Sequence, residues 1–248
     1  MADPLTIVHV YPELLGTYGD VGNVQALVHR ARARGLATRV LDVGLDDRLP
    51  ELGDLYVLGG GEDSAQVLAT ERLFADPHAA TALGGVPCFA VCAGLQLLSR
   101  TFEDTHGVAR PGLALLDVDC ARLAERAVGE VVTGAVNLPG VGELSGFENH
   151  RGTARLGPDA RPLGLLLAGV GNGDDRTEGV QQGSVVATYL HGPALVRNPA
   201  LADLLLARAT GRELPAYDHD AAERLHRERV ESAHPRRRHG LRSLTHRA

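Results

Sequence analysis

Cys92 stands in FAVCAGLQLL, residues 89–98, where an apolar run passes through a thiol and continues with helical spacing. Ala90 lies two residues before it and Gly94 two after, a small-x-Cys-x-small pattern. That is the steric requirement of a nucleophile elbow: the strand-to-helix turn is so tight that bulky flanking side chains would collide, while the central one is held out over the sheet. A helix opening at Ala93 would also aim partial positive charge at the sulfur and favour thiolate over thiol. The competing reading is a buried structural cysteine, the usual fate of a free thiol. Cys88 suits that reading, set inside the strand between Pro87 and Phe89, and Cys120 has no context that suggests chemistry. No further cysteine or histidine lies near Cys88 and Cys92 at ligand spacing, so no metal site is expected there.

A nucleophilic cysteine needs a base, and donors for the oxyanion that forms on attack. Gly59-Gly60-Gly61, at the end of another predicted strand, can bring backbone N–H groups close to a substrate carbonyl, with the Ala93 N–H beside them. The same glycines also suit a plain strand-to-helix turn. A phosphate-binding loop is not indicated, because no Lys-Ser/Thr follows them. Two histidines compete as base: His191, after VVATYL and before Gly192-Pro193, and His150 in GFENHRG, which reads as a loop. Spacing alone prefers neither.

The elements around these residues alternate. Residues 5–11 read as a strand, 23–34 as a helix stopped by Gly35, and 36–43 and 54–58 as strands. Helices over 62–74 and 78–83, a strand over 86–91 and a helix over 93–100 follow. This order implies βαβ units, an α/β fold with a mostly parallel central sheet and helices on both faces. In such sheets ligands bind outside the carboxyl ends of the strands, where Cys92, the glycines and His191 would all lie. The second half adds strands near 129–133, 163–170 and 184–190, and Gly171-Asn172-Gly173-Asp174 is a hairpin-type turn, so antiparallel strands are expected. A helix over 199–210 ends at Gly211. Residues 1–212 read as one domain, and 213–248 as a charged helix over 220–232 followed by a basic tail. Residues 234–248 hold five arginines, three histidines and no acid, which reads as a solvated tail rather than a basic arm for a partner.

In bulk the 248 residues are 44% hydrophobic and 23% charged, ordinary for a globular protein with a full-sized core. The net charge of −6 gives no pull toward nucleic acid or anionic membrane. All the basic side chains other than histidine are arginine. The first residues lack a signal peptide's basic start and apolar stretch, and no apolar run is long enough to span a bilayer. Three cysteines without framework spacing argue against a secreted disulfide scaffold, so a cytoplasmic protein with reduced thiols is expected.

Taken jointly, VCAGLQLL, LGGGED and TYLHGP resemble the class I (triad-type) glutamine amidotransferases in their cobyric acid synthase-like branch. Within it, YPELLGTYGDVGN, GGGEDSAQ, RAVGEVV, GFENHRG and TYLHGPALVRNPALADLLL resemble, in order from about residue 5 to 210, the glutaminase subunits (GatD) of bacterial lipid II isoglutaminyl synthases. The resemblance implies that Cys92 attacks the side-chain amide of L-glutamine, releases ammonia and leaves a glutamyl thioester for water to hydrolyse. It implies His191 as the base, Gly60, Gly61 and Ala93 as oxyanion donors, and Arg126 in RAVGEVV as the holder of the substrate, where a guanidinium fork suits a carboxylate. Asp20 in TYGDVGN and His150 are implied as pocket residues, although Asp20 also suits the N-cap of the following helix. The resemblance further implies a heterodimer with a Mur-ligase-like subunit (MurT). That subunit would bind ATP and magnesium and activate the D-glutamate α-carboxyl of lipid II; no cofactor is expected in this chain. Another acceptor such as a corrinoid, or a non-catalytic adaptor with the same fold, are the alternatives; a chain without a fused synthetase domain fits the isoglutaminyl enzyme better than the corrinoid enzymes. One position departs from the pattern. Triad amidotransferases carry an acid two residues after the histidine, and here that residue is Pro193. A histidine without an orienting carboxylate is a poorer base. The acid is therefore expected from the partner, with an acid elsewhere in this chain as the other option.

Overall fold

The computed structural model describes residues 3–134, 136–173, 175–217 and 220–233, so the basic segment 234–248 lies outside the described residues. Strand β1 (Leu5–Val10) is buried along its whole length, as a strand covered on both faces must be. Helix α1 (Val21–Ala33) carries the chain to β2 (Thr38–Val43), and β3 (Leu55–Leu58), α2 (Asp63–Ala75), α3 (Ala79–Gly85), β4 (Cys88–Val91) and α4 (Ala93–Leu98) continue the alternation. Short strands follow, β5 (Thr101–Glu103), β6 (Ala109–Pro111) and β7 (Val118–Cys120), then the long pair β8 (Arg122–Gly134) and β9 (Leu144–Gly152). Strands β10 (Arg155–Leu156), β11 (Gly164–Ala168), β12 (Thr177–Glu178), β13 (Val180–Gln182) and β14 (Val185–Thr188) precede α5 (Ala194–Arg197), α6 (Pro199–Thr210) and α7 (Asp220–Ala233).

The central sheet runs β13-β14-β4-β3-β1-β2 and is parallel throughout except for β13 against β14. This is the expected α/β arrangement. Period-two alternation sorts the strand residues into two apolar layers. Val8, Tyr56, Ala90 and Ala187 pack with Leu73, Leu83 and Leu97 of α2–α4. Ile7, Val57, Phe89 and Val186 pack with Leu27 of α1 and Leu201 and Leu205 of α6. From β1 the chain moves outward to β2 and returns to β3 on the other side of β1, so the order reverses beside β1 and opens a crevice at the carboxyl ends of these strands. The segments after β1, β3, β4 and β14 meet at that edge.

Two antiparallel-rich sheets complete the molecule, β10-β7-β5-β6 and β12-β11-β8-β9. The long β8–β9 pair corrects the sequence reading: GFENHRG is not a loop but the end of β9, where His150 opposes Ala127 of β8. Glu148 and His150 point a polar face into the protein, which breaks the apolar alternation by which a strand is recognised. The described part of the C-terminal segment is docked on the rest. Arg34 Nε donates to the Pro215 carbonyl at 2.7 Å, and the Arg30 and Arg34 guanidinium groups lie over the Tyr217 ring. Helix α7 packs Val230 and Ala233 against Val132 of β8.

Candidate active site

Strand β4 ends at Val91, and Cys92 turns the chain with φ 52 and ψ −103 before α4 begins. A non-glycine residue at positive φ is uncommon and persists where its surroundings hold it. Here the Cys92 N–H donates to the Thr188 carbonyl of β14 at 2.8 Å, which ties the turn to the neighbouring strand. The glycine two residues on is sterically required: a Cβ at Gly94 would come within 2.9 Å of Leu58 Cβ and 3.0 Å of the Leu58 carbonyl oxygen. Cys92 is partly exposed, whereas Cys88 and Cys120 are buried and burial pushes both thiols up to about 12. Cys92 also lines a cavity of about 280 Å³.

His191 follows β14 and is fully buried. Its Nδ1 lies 3.0 Å from Asp20 Oδ2 and 3.2 Å from Oδ1, and Asp20 is fully buried as well. A carboxylate accepts, so Nδ1 carries the proton and Nε2 is left as the working nitrogen. Among the described residues Nε2 has no hydrogen-bond partner. Burial disfavours the imidazolium, but the Asp20 carboxylate and the nearby Cys92 sulfur outweigh it and raise His191 to about 10. A Cβ at Gly60 would meet His191 Cε1 at 2.7 Å, Asp20 Oδ2 at 3.1 Å and Cys92 Cβ at 3.4 Å. Three side chains from three separate loops thus converge on a residue that has no side chain of its own.

Asp20 corrects one expectation. It occupies the N-cap position of α1, yet its side chain makes no capping hydrogen bond. Its carboxylate stands instead at His191 Nδ1, brought there by the turn after β1, 171 residues away in sequence, as the option of an acid from elsewhere in this chain requires. Asp20 also alters the reading of the glycine loop. The Gly60 N–H donates to Asp20 Oδ2 at 2.8 Å, so it is committed and does not face a substrate oxygen. Gly60 instead contributes its carbonyl, which accepts from the Thr17 N–H at 3.0 Å. Across a trans peptide this turns the Gly61 N–H away from Thr17, and Gly61 lines the cavity. Of the three expected donors, the Gly60 bond to Asp20 leaves Gly61 and Ala93 open.

Arg126 lies in β8 where the register shifts, and its guanidinium lines the same cavity. Its Nε donates to Asn149 Oδ1 at 2.6 Å and its second terminal nitrogen to the Tyr18 hydroxyl at 2.9 Å. His150 is placed as wall rather than base. Its Nδ1 donates to the Gly152 carbonyl at 2.8 Å, and its ring stacks on Tyr189 with centroids 4.0 Å apart. Sequence reasoning missed Tyr18, Asn149 and Gln66, which also line the cavity. Gln66 is buried, and its amide nitrogen has no partner among the described residues. For Tyr18 the only signal was its place two residues before Asp20.

A thiol on a strained turn and an arginine at one cavity, with an imidazole oriented by a carboxylate buried beside the thiol, suit nucleophilic attack on an amide of a small anionic substrate. Residues 6–199 match the CobB/CobQ-like glutamine amidotransferase domain. The chain belongs to that family. The amidotransferase is similar to subunit GatD of the glutamine-hydrolysing lipid II isoglutaminyl synthase of Staphylococcus aureus, at 33% identity over 213 residues, 84% of this chain and 86% of that one. It is similar to the same subunit of Streptococcus pneumoniae at 32% identity over 226 residues, 86% of each chain. Among solved structures, a glutamine amidotransferase shares the fold at 21% identity with a TM-score of 0.55, over 82% of this chain and 98% of that one. Among the described residues no helix of the amidotransferase is long and apolar enough to cross a membrane.

Proposed function

We propose that the chain is the glutaminase subunit of a lipid II isoglutaminyl synthase and works through a cysteine thioester. The juxtaposition of Cys92, His191 and Asp20 around Gly60 carries this reading. In the proposed cycle the Cys92 thiolate attacks the side-chain carbonyl carbon of L-glutamine, while Arg126 holds the substrate carboxylate. The oxyanion lies between the Gly61 and Ala93 N–H groups. The His191 imidazolium passes its Nε2 proton to the departing nitrogen and ammonia leaves. The neutral imidazole then takes a proton from water, which attacks the thioester and releases glutamate, restoring the thiolate and imidazolium. Asp20 keeps the Nδ1 proton in place and stabilises the charged ring in both steps.

Ammonia would pass to a Mur-ligase-like subunit (MurT) that binds ATP and magnesium and activates the D-glutamate α-carboxyl of lipid II. The similarity to two GatD subunits along most of both chains supports this acceptor. The test is glutamate release from glutamine, with and without the ligase-like subunit, beside Cys92→Ser and His191→Ala. Release that rises with the partner and disappears in both variants supports the reading. Equal release in wild type and both variants contradicts it and leaves a non-catalytic adaptor.

A further inference from the structure

The turn after β1 does more than deliver Asp20. Thr17 donates its N–H to the Gly60 carbonyl, Tyr18 stands in the left-handed region at φ 59 and Gly19 follows at φ 80. Two successive left-handed residues send the Tyr18 and Asp20 side chains to different sides of the site. Asp20 binds the His191 ring from within. Tyr18, 38% exposed, sets its ring in a T-shaped contact with the same imidazole, with centroids 5.0 Å apart. At its other end the Tyr18 oxygen accepts from Arg126, whose Nε is held by Asn149.

This geometry gives an exposed arginine a defined plane. Acceptors at Nε and at one terminal nitrogen fix the guanidinium, and its remaining N–H groups are left for a ligand. Because the Tyr18 oxygen is an acceptor toward Arg126, its own hydroxyl hydrogen is free to donate. The remaining guanidinium N–H groups and the phenol hydrogen together offer several donors to the cavity, which is chemistry for a carboxylate. The same phenol ring touches the His191 imidazole.

We propose that Tyr18 is a positioning residue that orients the Arg126 clamp and couples it to the His191 imidazole, so that the enzyme selects substrates bearing a free α-carboxylate. The inference rests on the glutaminase reading above. It assigns Tyr18 a place in recognition and separates its two parts: the hydroxyl serves the clamp, and the ring serves the imidazole.

The test compares L-glutamine with its α-carboxamide, which has the same scissile amide and no carboxylate, on the full-length chain with its ligase-like subunit. Tyr18→Phe removes the hydroxyl and keeps the ring. It is expected to raise the KM for glutamine about tenfold, with kcat within about twofold, and to lower the preference for glutamine over the carboxamide by a similar factor. In an Arg126→Ala background the same change is expected to have no further effect on that preference. Tyr18→Ala removes the ring too and is expected to lower kcat as well. An unchanged KM and preference in Tyr18→Phe, or an equal loss with and without Arg126, overturns the coupling. Loss of glutamate release in Cys92→Ser beside an unaffected Tyr18→Phe sinks only this inference. Undiminished release in Cys92→Ser sinks the glutaminase reading itself.

Discussion

Asp20 is the residue on which the proposed chemistry of the site turns. Burial alone would leave His191 neutral; the carboxylate at Nδ1 and the Cys92 sulfur raise it to about 10, so the imidazolium is populated through neutral pH. Replacing Asp20 by asparagine removes the charge and leaves the burial, so the imidazolium should be lost at a lower pH. We expect Asp20→Asn to lower kcat/KM about 10²-fold and to move the alkaline limb of its pH profile to lower pH. A rate profile across neutral and alkaline pH checks both. The nucleophile was legible in the sequence because an elbow is a local steric pattern: Ala90, Cys92 and Gly94 are within five residues of one another. The histidine was legible as a strand end followed by Gly192, with the family resemblance choosing it over His150. The carboxylate that meets His191 was not, because one was sought two residues past the histidine and Asp20 lies in the turn after β1. Nor could the sequence show that the Gly60 N–H is spent on Asp20, since both groups suit other roles when read alone.

At the scale of elements, the end of β14 delivers the base, and one buried carboxyl holds that end. Glu178 of β12 accepts from the Thr188 hydroxyl at 2.7 Å and the Tyr189 N–H at 2.8 Å, while the Leu190 N–H donates to the Thr188 oxygen at 3.0 Å. Burial pushes Glu178 from 4.5 up to about 7, against the pull of its two donors. The folded state thus binds this proton more tightly than the unfolded chain does. Its stabilisation is complete below about pH 4.5 and is lost as pH rises through about 7, amounting to about 3 kcal/mol. Glu178→Gln keeps an acceptor and removes the titration. Thermal melts at about pH 5 and about pH 8 should show the wild-type midpoint falling more steeply with pH than the variant's, which keeps only the fall due to His191 and other titrating groups. The alternating strands and helices of the first half were legible because long apolar runs and glycine stops mark them. Strands β5, β6 and β7 have three residues each, too few for any period to register. Strand β9 hid because its inward face carries Glu148 and His150.

Across the whole molecule, the parallel sheet brings Cys92, Asp20 and His191 to one edge, and the antiparallel β8–β9 pair brings Arg126 and Asn149 beside them. Helix α7 braces the far side of that pair through Val230 and Ala233. Val230→Asp would place an unpaired charge in this contact. We expect the thermal midpoint to drop by about 5 °C and proteases to cut more readily between α6 and α7. Limited proteolysis followed by mass analysis of the fragments checks where the chain opens. The central claim, that glutamine is split on the Cys92 sulfur, is tested most directly by mixing the enzyme with L-glutamine, quenching in acid within a single turnover and mapping the adduct by peptide mass. The account predicts a γ-glutamyl group on the peptide that holds Cys92 in the wild type, and none in Cys92→Ser, which also releases no glutamate. An unmodified Cys92 peptide in the wild type, together with undiminished glutamate release by Cys92→Ser, would contradict it.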